Sequence, residues 1–147
     1  MTRTFLTGVG VAAALLAAAC AGGTTDPGAA HAAASVAPPA GYKKVSELVK
    51  LPDFLPGLGT LYVQPATLPA GPFLAYDRDG RLVSTIYMVP LEDLQAQKKF
   101  DELAVGPDPT VKAVSMYYNA GHPGVAEPHY HVVIWYVSPD KAAALKQ

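Results

Sequence analysis

Apolar residues crowd most densely near the C-terminus, where the chain reads HYHVVIWYV over 129–137. An unbroken run of this kind predicts a central strand covered on both faces. Pro128 has no backbone donor to give a ladder, so the strand is expected to begin at 128 or 129. Alternation then places His129, His131, Val133, Trp135 and Val137 on one face, and Tyr130, Val132, Ile134 and Tyr136 on the other.

The same pattern predicts further elements upstream. FLAYDRDGRLVSTIYMV (73–89) holds two β-rich runs around Asp79-Gly80, which predicts a hairpin with its tip at 77–81. TLYV (60–63) is a short strand in a region divided by Pro52, Pro56, Pro65, Pro69 and Pro72. PLEDLQAQKKFDELAVG (90–106) predicts a helix: Pro90 opens it, Glu92 and Asp93 occupy its first turn, and Gly106 follows its end. Ala96, Phe100, Leu103 and Ala104 would form its buried stripe. TVKAVSMYYN (110–119) is strand-like. In SPDKAAALKQ, Ser138 is placed to cap a short helix with Pro139 at its first position and Lys146 near its end. This order of elements predicts an α+β fold, a largely antiparallel sheet with one central helix after a β-hairpin and a short C-terminal helix.

Residues 1–20 follow a different logic. Arg3, an apolar stretch and a run of small residues up to Cys20 have the form of an export signal, and Val9 to Ala19 falls short of the roughly 20 apolar residues of a membrane span. LLAAAC resembles the lipobox of bacterial lipoproteins, although Ala17 stands where leucine is usual. The resemblance implies that Cys20 is lipidated, anchoring the chain to a membrane surface in the cell envelope, on its periplasmic or extracellular face. Cys20 is the chain's single cysteine, so an exported domain has no internal disulfide. Residues 21–41 are Ala/Gly/Pro-rich and read as a disordered tether, with His31 inert within it. That leaves 42–147 as a single α+β domain. The formal charge of −1 and the isolated pairs Lys43-Lys44 and Lys98-Lys99 make no basic stripe, which excludes nucleic acid as a partner.

Candidate chemistry concentrates in NAGHPGVAEPHYH (119–131). His129 and His131 stand at i and i+2 on one strand face, with bases roughly 6.5–7 Å apart, so their rings can converge on one ion. His122 lies in the Gly/Pro loop upstream, and Glu127 would share the face of His129 if the pairing reached back that far. Three nitrogens and one oxygen make a donor set for zinc or copper. The competing expectation is a hydrogen-bonded structural cluster. Asp77 and Asp79 do not form a calcium loop, because Met88 occupies the twelfth place where glutamate is required. PHYH looks like a cupin HxH, but the following glutamate is absent and too little chain follows for the second cupin motif.

The stretches LYVQPATLPAGPFLAYDRDGRLVSTIYMVPL and YYNAGHPGVAEPHYHVVIWYV resemble a family of uncharacterised exported bacterial proteins, a domain of unknown function typified by a Thermus protein. Asn119, Gly121, His122, Pro123, Gly124, Val125, Pro128, His129 and Tyr130 carry the likeness, which spans about residues 58–138. Here His131 replaces a family aspartate, and the family's second histidine falls near Val133. Of the histidines, therefore, only His122 and His129 carry over. The resemblance implies an exported α+β protein without an assigned activity. Three function classes follow: a lipid-anchored transition-metal module; a structural or protein-interaction domain, homo-oligomeric through exposed Tyr117, Tyr118 and Tyr136; and an enzyme with His129 or His131 as base beside Glu127. No nucleophile elbow or phosphate loop supports the third class.

Overall fold

The computed structural model describes residues 37–107 and 110–147, which fall within one compact unit. Residues 1–36, which include the expected signal segment, Cys20, His31 and most of the expected tether, lie outside the described residues. Among the described residues, no helix is long and apolar enough to cross a membrane.

Among the described residues six strands form one antiparallel sheet: β1 (Lys43–Lys44), β2 (Thr60–Val63), β3 (Phe73–Tyr76), β4 (Leu82–Pro90), β5 (Ala113–Asn119) and β6 (His129–Trp135), in spatial order β1-β2-β3-β4-β6-β5. Among the described residues three short α-helices accompany it, α1 (Val45–Leu48), α2 (Leu91–Gln95) and α3 (Pro139–Ala144), with one 3-10 turn at Pro65–Thr67. The β3–β4 hairpin turns at 77–81, as Asp79-Gly80 predicts. Asp77 Oδ1 accepts the backbone N–H groups of Asp79 and Arg81 at 2.9 and 2.8 Å, and Gly80 takes the left-handed φ of 73° that the turn requires. The sheet separates two apolar clusters. One gathers Leu61, Val63, Phe73, Ile86, Met88 and Val133 with Val45 and Leu145; the other gathers Leu74, Tyr76, Leu82 and Tyr136.

Several expectations are corrected here. The strand buried on both faces is β4, whose residues Leu82 to Val89 are all buried, whereas β6 alternates between buried and half-buried positions and lies second from the sheet edge. The helix expected over 90–106 stops at Gln95. Gln97 adopts a left-handed φ of 56°, Gln97 N–H donates to the Leu94 carbonyl, and Lys98 N–H donates to the Asp93 carbonyl, which together make a Schellman-type end without glycine. Ala96, Leu103 and Ala104 are exposed and Phe100 is only half-buried, so they form no core stripe. Ser138 stands at the N-cap of α3, but its hydroxyl makes no capping hydrogen bond.

The segment after α2 crosses the second face of the sheet because two tyrosines hold it there. Tyr87 donates its hydroxyl to the Ala104 carbonyl at 2.5 Å, and Gly106 N–H donates to the Tyr136 hydroxyl at 2.6 Å. The Tyr136 hydroxyl also pairs with Thr85 Oγ1 at 2.7 Å. Tyr136, expected at the surface, is therefore buried and fully used. Tyr136→Phe strands a buried amide and a buried hydroxyl. We expect it to destabilise the domain by about 1–3 kcal/mol, read as a lower urea midpoint at unchanged slope.

Candidate metal centre

β6 pairs with β4 on one side and β5 on the other, so every side chain on it has two cross-strand neighbours. His131 lies opposite Met88 and Tyr117; His129 lies opposite Pro90 and Asn119. Both imidazoles point to the face that carries Met88 and Val133, and they are 3% and 1% exposed.

His122 arrives from a separate element. It exchanges two backbone hydrogen bonds with Val125, closing a tight turn over Pro123 and Gly124. Proline at the second place and glycine with a positive φ at the third is the residue order of a type II turn. Gly121, just before it, has a φ of 127°, and a Cβ there would lie 2.3 Å from the Ala126 carbonyl oxygen. Its N–H donates to Asn119 Oδ1, so the end of β5 holds the loop that delivers His122.

The three rings meet through their Nε2 atoms. His129 Nε2 lies 2.9 Å from His131 Nε2, and His122 Nε2 lies 3.3 Å from it. Two ligands at a zinc–nitrogen distance of 2.0–2.1 Å in a tetrahedron stand ~3.3–3.4 Å apart; the His122–His131 spacing equals this, the His129–His131 spacing is shorter, and the ligand atoms of all three lie within 4.8 Å of one another. Each Nδ1 is engaged outside the cluster: His122 Nδ1–H donates to the Pro123 carbonyl at 3.1 Å, and His129 Nδ1–H to the Glu127 carbonyl at 2.7 Å. A carbonyl only accepts, so these bonds fix both tautomers and leave both Nε2 atoms with free lone pairs. His131 Nδ1 faces the Tyr117 hydroxyl at 3.0 Å, a group that can either donate or accept. Without an ion, His131 Nε2–H is shared between its two neighbours. Were His131 Nε2 to hold an ion, its proton would sit on Nδ1 and donate a hydrogen bond to the Tyr117 oxygen.

Glu127 plays a different part from the one expected. Strand pairing begins at His129, leaving Glu127 in an exposed bend; its carboxylate lies outside the group of mutually close ligand atoms, and its backbone carbonyl orients His129. The described residues thus bring together His122, His129 and His131, a set that can hold a metal ion. Sequence reasoning missed Tyr117 as the partner of His131. Its position two residues before Asn119 on an alternating strand signals its face, but only the β5–β6 register shows what it meets. His122 and His131 also line a cavity of about 600 Å³ over this face of the sheet.

Burial pushes the His131 imidazole down from 6.5 to about 4, and the rings of His129 and His122 push it in the same direction. The unfolded chain therefore takes this proton near pH 6.5, while the folded metal-free protein resists it until about pH 4. Stability from this source is complete above the higher value and is lost as pH falls through the window. Urea titrations of metal-free protein between pH 7.5 and 4.5 should show a loss on the order of 1–3 kcal/mol, and His131→Gln should remove most of that slope.

No protein-family model and no curated protein matches the chain. It is similar to a hypothetical protein of Thermus thermophilus, TTHB210, whose crystal structure is known. The two are 46% identical, with a TM-score of 0.58, and the match covers 65% of this chain and 93% of that one.

Proposed function

The chain belongs to the family of that hypothetical Thermus protein, and we propose from the site chemistry that it is a transition-metal-binding domain of the cell envelope. The observation that carries this reading is the convergence of three Nε2 atoms, two of which have their lone pairs turned inward by backbone carbonyls. A purely structural cluster needs no such outer support on each ring; a metal ligand set characteristically has it. All three donors are imidazoles, which suits zinc or copper. Three protein ligands leave a fourth position for an exogenous group, as sites that exchange ligands do.

The envelope address rests on residues 1–20 and on Cys20 as the lipid-anchored residue. In this reading the domain lies against a membrane surface without crossing it and presents its metal to a compartment outside the cytoplasm.

A second reading, a homo-oligomeric interaction domain, is favoured by the outer face of β5. Val114, Met116 and Tyr118 are 62%, 56% and 51% exposed and lie together on one face of an edge strand. Light scattering at several concentrations distinguishes the two. A mass above that of one chain that falls to the monomer in Met116→Glu supports association; a monomer at every concentration rejects it.

For the metal, elemental analysis of protein purified without chelators should find near-stoichiometric zinc or copper, absent from a still-folded His129→Ala/His131→Ala double variant. Tyr117→Phe removes the acceptor that His131 Nδ1–H needs once the metal is bound, and should weaken affinity by about 10-fold. Failure of the wild type to hold metal after reconstitution would reject the reading.

A further inference from the structure

The cavity beside the histidines is built unevenly. At about 600 Å³ it lies within the roughly 300–1,000 Å³ range of pockets for small organic ligands. Leu61, Phe73 and Met88 of successive strands contribute to its wall, and Leu48, Leu51 and Leu58 extend the same apolar lining. Its polar side chains fall into two groups. His122, His131, Tyr117 and Asn119 make one; Ser115 and Lys146 lie near Trp135 and make the other. His131 and Trp135 are four residues apart on β6, about 13 Å at 3.3 Å per residue, so the cavity is long enough for an extended aliphatic chain.

The histidine end lacks one thing. Three neutral imidazoles around a divalent ion leave its two positive charges uncompensated, and the described residues place no carboxylate in the triad. A buried charge without a counter-charge is costly. His122 and His131 line the cavity while His129 does not, so the ligand set borders the cavity on one side only.

We propose that the cavity binds a linear aliphatic monocarboxylate, with its chain along the apolar wall and its carboxylate on the open coordination position of the metal held by His122, His129 and His131. This rests on the metal reading above. The carboxylate supplies both the missing negative charge and the oxygen ligand that zinc accepts. The alternative head-group site, Lys146, is exposed to solvent, where an ion pair contributes little.

Trp135 is the chain's single tryptophan and lies in the cavity wall, its indole N–H donating to Ser115 Oγ at 3.0 Å, so its emission reports occupancy. The experiment titrates dodecanoate into zinc-loaded and metal-free protein while recording emission and zinc content, then repeats both with dodecan-1-ol. We expect a saturable change at one equivalent, with dodecanoate bound at least tenfold more tightly by the zinc-loaded protein and dodecan-1-ol indifferent to zinc. Stoichiometric zinc without an emission change, or with equal dodecanoate affinity in both forms, overturns this proposal and leaves the metal reading standing. Absence of zinc binding overturns the metal reading first and the proposal with it. Zinc-independent dodecanoate binding that disappears in Lys146→Ala places the head group at the lysine and also overturns it.

Discussion

The pairing of β4 with β6 governs this domain. β4 is nine residues long, hydrogen-bonded on both edges and buried on both faces over almost its whole length. Side chains on a strand repeat every two residues, so a slip of one residue between β6 and β4 would turn His129 and His131 to the opposite face of the sheet. The register that sets Met88 against His131 and Ile86 against Val133 is held by the burial of those apolar side chains. The direction in which the imidazoles point is thus a consequence of core packing. β5 adds Tyr117 opposite His131 and Asn119 opposite His129, and so inherits its place in the site from the same register.

Within that frame, the cluster is organised from outside inward. Two backbone carbonyls select the tautomers of His122 and His129, and only His131 retains a choice, which the Tyr117 hydroxyl accommodates in either direction. Burial around its hydroxyl pushes the pKa of Tyr117 above its ordinary value, so the hydroxyl keeps its proton and remains able to play both parts. His131, held neutral by its surroundings over most of the pH range, offers a lone pair with little competition from protons.

How much of this is legible in the sequence depends on the distance along the chain over which each feature is decided. The hairpin is legible because Asp77, Asp79 and Gly80 hold all its turn chemistry within five residues. The pairing of His129 with His131 follows from strand alternation, and the Pro123-Gly124 turn upstream marks His122 as a candidate. The segment 96–106 departs from expectation because its composition favours a helix while contacts with Tyr87 and Tyr136, distant in sequence, hold it across the sheet. β4, with Ser84 and Thr85 in its middle, looks less like a doubly buried strand than β6 does, yet its neighbours cover it more completely. Tyr117 and the cavity depend on strand order, which local pattern does not encode.

The turn that carries His122 has one more consequence. An ion joining His122 to His131 would close a loop of only nine residues, between segments that the chain already keeps close through the His122–Val125 bridge. The entropy removed from an unfolded chain by a cross-link grows with the logarithm of the loop it closes, so a clip this short restrains the unfolded ensemble little. A metal here would be a poor staple for the fold, in a chain whose single cysteine already denies it an internal disulfide. The domain is built to stand on its sheet and two apolar clusters, and an ion bound here would be free to come and go without the chain unfolding.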